Sequence, residues 1–310
     1  MNQPLHVTVT GAGGFLGSHV VSQLETAGEK VTALADANDC DITDAQDVEQ
    51  TIGPCDVIIH CAAMVTIEDQ VKPQVRAVNV EGTANILEAA RRHQARLVYV
   101  SSVHALTEAP TGVVMEEPES FDPDTVFGGY AKTKAEAAAL VMEADDVDRV
   151  IIHPSGLLGP NDPGATNLTT LVQRLVDGEL GVVVKGGYDM VDVRDVAVCV
   201  VKACRTGSGP YLATGGYVSL RQLGRIVTNL VDRRDPLTLP LWVARAAAVP
   251  VEGVARLFGR PPLFTKYSLY TLSSGNRFKN AKARRELGFE PRPLEETLSD
   301  MVDERQSQQD

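Results

Sequence analysis

Leu5-His6-Val7-Thr8-Val9-Thr10-Gly11-Ala12-Gly13-Gly14-Phe15-Leu16-Gly17-Ser18-His19-Val20-Val21-Ser22-Gln23 is the stretch on which the reading of this chain turns. A β-rich run enters a glycine cluster, and Phe15, Leu16, Val20 and Val21 follow at helical spacing, so it reads as strand, tight turn and helix. Glycine admits positive φ and lets the backbone approach a ligand closely. The helix opening behind the cluster, at Phe15 and Leu16, aims unpaired N–H groups and partial positive charge at an anion. A pyrophosphate suits that position. The spacing is Gly11-x-x-Gly14-x-x-Gly17 with Gly13 additional, whereas a strict G-x-G-x-x-G would need glycine at Leu16. Taken alone, it also suits a turn that merely joins strand to helix.

Residues further along discriminate between the two. Lys30-Val31-Thr32-Ala33-Leu34-Ala35-Asp36 reads as a second strand ending in an acid about 20 residues beyond the glycines, where a Rossmann fold keeps its ribose-reading carboxylate. An acid there accepts from the adenosine 2′- and 3′-hydroxyls and repels a 2′-phosphate. No Lys or Arg occurs between Val31 and Asp69 to neutralise such a phosphate, so NAD is favoured over NADP. Asp36 as a plain solvated loop acid is the competing reading. Asp41-Ile42-Thr43-Asp44 then suits a turn closing over an adenine. Asp56 to Ala63 is a nearly continuous apolar strand of the kind covered on both faces, ending in Ala62 and Ala63 at the cofactor side. His60 and Cys61 near its end have no partners at ligand spacing, so no metal site is expected.

Composition bounds the class. With 310 residues the chain has material for about two domains of ~150 residues. A net charge of −12 argues against a nucleic-acid partner, which would demand clustered Lys and Arg. Five cysteines (Cys40, Cys55, Cys61, Cys199, Cys204) form no C-x-x-C pair, which suits reduced cytoplasmic thiols better than a disulfide framework or zinc site. The first strand begins by Leu5, leaving no room for a signal peptide, and export is not expected. Leu237 to Phe258 contains Arg245, Pro250, Glu252 and Arg256, so it reads as an amphipathic helix covering a pocket rather than a membrane span.

Arg96 to Ser102 is a strand that delivers Ser101 and Ser102 at its carboxyl end, where open α/β sheets place ligands. Tyr130 and Lys134, four apart, share one face of an alanine-rich helix. Y-x-x-x-K alone is common. Joined to the glycine loop, and with Ser102 standing 28 residues before Tyr130, it resembles the extended short-chain dehydrogenase/reductase superfamily. Asn79-Val80-Glu81-Gly82-Thr83 is similar to that superfamily's N-V-x-G-T helix, and His153-Pro154-Ser155-Gly156-Leu157-Leu158-Gly159-Pro160 to its R-P-x-x-x-x-G-P segment. Val193-Arg194-Asp195-Val196-Ala197 and Leu287-Gly288-Phe289-Glu290-Pro291 match later signatures, so the resemblance spans nearly the whole chain. Within the superfamily it looks most like dihydroflavonol reductase-like proteins, then 3β-hydroxysteroid dehydrogenases.

The resemblance implies an α/β fold: a Rossmann doubly wound parallel sheet over residues 1–155, with a return near 188–206, and a smaller carboxyl-terminal substrate domain from 156–187 and 207–310. It implies hydride transfer between NAD(P)H and a carbonyl or alcohol. Tyr130 would move the proton, with its pKa lowered by the Lys134 ammonium, which would also hold the nicotinamide ribose. Ser102 would steady the substrate oxygen, with Ser101 as its structural neighbour. Asn79 resembles an anchor for a relay water, and Pro154 and Ser155 would line the nicotinamide. The cofactor set is Gly11, Gly14, Phe15, Leu16, Gly17, Asp36, Asp41, Ile42, Ala62, Ala63, Tyr130, Lys134, Pro154 and Ser155. A homodimer is expected through the helices Val75 to Arg91 and Tyr130 to Met142.

Two other functions fit parts of the pattern. A nucleotide-sugar epimerase or dehydratase with retained NAD would use the same residues, and a dinucleotide sensor would be expected to lack Tyr130 or Lys134. Epimerases of this superfamily carry an arginine before the V-x-D segment to grip a diphosphate, and Tyr188, beside Asp189, stands at that position here. Tyr188 then either covers an apolar substrate or is an ordinary core aromatic. The stretch Pro236 to Phe264 would add a hydrophobic wall, while Arg174, Lys185 or Arg194 would have to supply any phosphate contact.

Overall fold

Strands buried along their whole length need cover on both faces, and the chain supplies it by alternating them with helices. The computed structural model describes residues 3–110, 112–243 and 266–309, with backbone alone at 266–269. In order come β1 (His6–Thr10), α1 (Phe15–Thr26), β2 (Lys30–Leu34), α2 (Ala45–Thr51), β3 (Val57–His60), α3 (Pro73–Arg76), a π-helical turn (Ala77–Glu81), α4 (Gly82–His93), β4 (Arg96–Val100), β5 (Val114–Met115) and α5 (Gly129–Glu143). Then follow β6 (Arg149–Pro154), β7 (Gly156–Leu158), α6 (Asn167–Val176), β8 (Val182–Val184), β9 (Gly187–Asp192), α7 (Val193–Ala203), β10 (Gly209–Ala213), β11 (Tyr217–Ser219), α8 (Leu220–Leu230) and β12 (Leu237–Leu239). The helices Lys266–Ser274, Ala281–Leu287 and Leu294–Ser307 complete the described chain, with β13 (Arg277–Phe278) between the first two.

A six-stranded parallel sheet runs β10-β6-β4-β3-β1-β2. Strand alternation splits its side chains between two layers. Leu97 and Tyr99 of β4 join Ile86 and Leu87 of α4 and Ala135, Ala138 and Val141 of α5. Val98 and Val100 join Val20 and Leu24 of α1 and Val196 and Val200 of α7. The chain leaves β1 for β2 on one side and returns to β3 on the other, so a crevice opens at the carboxyl ends of β1 and β3, the switch point where such sheets bind ligands.

A second core gathers Val172, Leu175, Val184, Met190, Leu223, Val227 and Leu298 from α6, β8, β9, α8 and the helix Leu294–Ser307. It carries the three-stranded sheet β11-β9-β7 and the pair β12-β8. Element positions differ from the sequence reading in four places. β2 stops at Leu34, two residues short of Asp36, and β3 stops at His60. The return to the large sheet is made by α7 and β10, reaching Ala213 rather than about 206, while β9 stays with the small sheet. The expected helix from Leu237 lies outside the described residues after Val243, and its first part is β12.

Candidate active site

Strand register builds one ledge. Thr10 pairs with His60, His60 with Tyr99, and Tyr99 with Ile151, so Gly11, Ala62, Ser102 and Ser155 all emerge past the same sheet edge. At the β1 end, Gly11 has φ +68°, and a Cβ there would lie 2.6 Å from the Ala62 nitrogen. Only glycine satisfies both conditions. Gly14 caps α1 without a side-chain hydrogen bond, and the first turn, with Phe15, Leu16 and Gly17, contains no acid. Those amides and the helix dipole make a site for a phosphate anion, and the residues present fit a dinucleotide.

The adenosine side is turn chemistry. Asp36 is exposed, and its Oδ1 accepts from the Asn38 N–H at 2.7 Å. Asp41 accepts from the Thr43 N–H and Oγ1 at 2.9 and 2.7 Å, which holds its carboxyl below the usual range. Ile42 packs where a Cβ on Gly82 would fall, 2.7 Å from its Cδ1, so the glycine of N-V-x-G-T admits this turn. Ala62 is half-buried against Gly11, and Ala63 is exposed.

At the β4 end, Ser102 is buried and its Oγ accepts from the His104 N–H at 3.2 Å, which leaves the hydroxyl hydrogen for another acceptor. Tyr130 opens α5, close beside the chain at Gln70: the Gly129 N–H donates to the Glu68 carbonyl at 3.0 Å, and a Cβ on Gly129 would fall 2.2 Å from the Gln70 oxygen. Nothing in the sequence pattern had singled out Gly129. The Ser102 hydroxyl faces the Tyr130 phenol and draws its pKa down, but burial dominates and raises it to about 12.

Here the structure departs from expectation. Burial is the largest influence on the phenol, and the Lys134 Nζ donates 2.8 Å to the Val100 carbonyl and lies over the Tyr99 ring. Burial lowers Lys134 itself to about 7. Asn79, 1% exposed, holds the Met64 backbone through both amide atoms (2.7 and 2.9 Å) and donates to Thr133 Oγ1 at 3.0 Å. Both its N–H bonds are thereby used in joining the loop after β3 to α5.

Several buried groups were not foreseen as part of this corner. His153 Nδ1 donates 3.0 Å to the Ser102 carbonyl while its ring stacks on Phe121, and burial lowers it to about 4. His60 lies between Thr10 and Thr83 hydroxyls at 2.7 and 3.1 Å, lowered by burial to about 3. It is a satisfied core histidine, and no cluster of metal ligands occurs among the described residues. Pro154 ends β6, and the Ser155 N–H donates 3.2 Å to the Ala213 carbonyl. Ser155 faces Asp189, a carboxyl raised by burial that accepts from the Gly216 N–H at 3.2 Å.

The three cations considered for phosphate differ in commitment. Arg194 is bound to Asp192 (2.7 Å) and Asp300 (2.6 Å), which removes it from that role. Arg174 pairs with Glu179 at 3.7 Å, and Lys185 is exposed. Tyr188 packs partly buried against the second core and faces Thr271, closer to a core aromatic than to a substrate cover. No helix among the described residues is long and apolar enough to cross a membrane.

Comparison with known proteins agrees with this geometry. The chain is 29% identical over 318 residues to sterol demethylase protein B of Methylococcus capsulatus, covering 95% of this chain and 96% of that one. It is 27% identical to a putative dihydroflavonol 4-reductase of Synechocystis, covering 95% and 92%. The crystal structure of gox2253 superposes with TM-score 0.81 at 26% identity, covering 97% of this chain and 98% of that one. The Thermus thermophilus UDP-glucose 4-epimerase complex with NAD shares the fold at TM-score 0.72 and 20% identity. With residues 7–211 matching its description, the chain belongs to the NAD-dependent epimerase/dehydratase family.

Proposed function

We propose that this protein is an NAD(H)-dependent reductase or dehydrogenase that moves a hydride between the cofactor and a ketone, aldehyde or alcohol. The observation that carries the reading is the convergence of Ser102, Tyr130 and Lys134 on the sheet edge that also holds the Gly11 turn. NAD supplies the redox chemistry when bound. Gly11, Gly14, Phe15, Leu16 and Gly17 hold its pyrophosphate, Asp36 its adenosine ribose, Asp41, Ile42, Ala62 and Ala63 the adenine side, Lys134 the other ribose, and Pro154 and Ser155 the nicotinamide. The Ser102 hydroxyl donates to the substrate oxygen. Tyr130, protonated well above neutral pH in the free site, is the proton donor for carbonyl reduction.

Relatives support a carbonyl on an apolar frame. They include a ketoreductase of a farnesylated quinoline N-oxide, a 2-alkyl-3-oxoalkanoate reductase and a 3β-hydroxysteroid dehydrogenase/isomerase. Against retained-NAD epimerisation stand Tyr188 in place of a diphosphate-gripping arginine and the commitment of Arg194 to two aspartates. Among the described residues, β7, α6, β8, β9, β11, α8, β12 and the helix Leu294–Ser307 form the substrate lobe in this reading, while the helix Ala281–Leu287 packs on the core of the large sheet. The enzyme works in the cytoplasm without nucleic-acid partners.

It acts as a homodimer through α4 and α5. Most apolar residues of those helices are already buried within the chain; Ala84, Ala139 and Met142 are half-buried, Leu140 is exposed, and the Arg76–Glu136 pair ties α3 to α5. A solution mass of twice 33.2 kDa is expected, and a monomer at micromolar concentration would refute the pairing. The function is tested by following NADH absorbance with a panel of ketones, aldehydes and steroids beside nucleotide-sugar conversion. Conversion of a nucleotide sugar without net NADH change, and with no carbonyl reduced, would replace this reading by the epimerase one.

A further inference from the structure

We propose that Tyr99 is a positioning residue for Lys134, its ring face serving as the negative surface on which the lysine ammonium is held in the cofactor site. The inference rests on Lys134 being the cofactor-facing cation, as read above. Its ground is geometric. Lys134 Nζ lies 4.6 Å from the centroid of the Tyr99 ring, over its face, and donates one hydrogen to the Val100 carbonyl at 2.8 Å. Lys134 is 2% exposed and Tyr99 is 0% exposed, so neither water nor side-chain motion readily substitutes for this contact.

The surroundings make the ring matter. The titratable groups that interact with Lys134 are Tyr99 from β4, His60 and Cys61 from β3 and its end, and His153 from β6, with Tyr130 one turn before it on its own helix. None is a carboxylate. Burial keeps His60 and His153 neutral and the Cys61 thiol protonated, at about 3, 4 and 12 respectively. A buried ammonium without an anion is costly, and the Val100 carbonyl and the Tyr99 ring both present negative potential to it, an aromatic face attracting a desolvated cation most strongly.

Backbone geometry fixes the ring beneath the lysine. In β4 the alternation that sends Leu97 to the α4/α5 layer sends Tyr99 there too, under the helix that carries Lys134. Register sets Tyr99 beside His60, whose ring stacks on it at 5.7 Å and 27°. One side of this arrangement orients Tyr99, and the other uses it.

The test varies the ring's face without varying its size. Tyr99 is replaced by phenylalanine and by mono-, di- and trifluorinated phenylalanines, and NADH affinity is measured by fluorescence against pH, with thermal melts to confirm folding. The protonated lysine binds cofactor, so affinity falls as pH rises through its titration. Tyr99→Phe should keep that fall in place. Progressive fluorination should move it to lower pH by about 0.5 to 1 unit, the range expected for a desolvated cation–π contact. A fall that stays put along the series, in variants that melt like the wild type, overturns the proposal. Lys134→Met separates the two layers of the argument: weak, pH-independent NADH binding upholds the role of Lys134, whereas wild-type binding removes that role and the Tyr99 inference with it.

Discussion

The two ends of the proposed site would recognise their ligands by different means. At β1 the selectivity resides in backbone: a left-handed glycine against Ala62, and a helix start without a side-chain cap. At β4 it resides in buried side chains, with Ser102, Lys134, Tyr99 and His153 sharing a water-poor corner in which burial shifts every titratable group. The first end fails through steric conflict, the second through lost charge or proton balance. Substitutions should therefore separate binding from chemistry.

The widest separation is expected for Tyr130→Phe. Turnover should fall by about 10² to 10⁴, the usual worth of a general acid, while the dissociation constant for NADH stays within about twofold. Near wild-type turnover would remove the phenol from the mechanism. The mirror experiment is Gly11→Val, which forces a β-branched residue to φ +68° against the Ala62 backbone. It should abolish NADH binding and lower the melting temperature by several degrees, since such strain is of order 1–3 kcal/mol before the clash is added. Unchanged NADH affinity would show that the turn does not hold the pyrophosphate.

A pH experiment reaches the buried histidines. His153 and His104 titrate at about 4 and His60 at about 3 when folded, all lowered mainly by burial. The unfolded chain, with imidazoles near ~6.5, then binds more protons below that pH than the native state. Stability is complete above about 6.5 and declines as pH falls toward the folded values. A fall in melting temperature of about 5–10 °C between pH 7 and 5 is expected, and it should be shallower in His153→Asn, which keeps a donor near the Nδ1 position. A flat profile would contradict neutral burial. The smallest effect belongs to Asp36→Ala, which should narrow the preference for NADH over NADPH by roughly tenfold through loss of about one charged hydrogen bond. Tighter NADPH binding by the wild type would reverse the assignment.

How much of this was visible beforehand follows the same division. The β1 end was legible, since glycine spacing is a local signal and Gly11, Gly14 and Gly17 state a backbone requirement directly. Ser102, Tyr130 and Lys134 were legible because their types and separations are unusual in combination. Tyr99 and His153 were not, for each looks like an ordinary strand residue until register puts one under α5 and the other behind the Ser102 carbonyl. The burial that raises Tyr130 was hidden for a related reason. Sequence proximity put an ammonium beside the phenol, but the lysine's short-range partners lie on β4. The commitment of Arg194 was not visible, because its partner Asp300 is distant in sequence.

One contact bears on the order in which the molecule is made. Asp195, buried at the start of α7, accepts from the Arg292 backbone N–H and guanidinium at 2.7 to 3.0 Å, and Asp192 accepts from Thr297 at 2.7 Å. These partners are synthesised about a hundred residues after the aspartates they satisfy. During translation the large sheet can be assembled through β10 while Asp195 still lacks its guanidinium, so the junction between the lobes closes only when the last helix has left the ribosome.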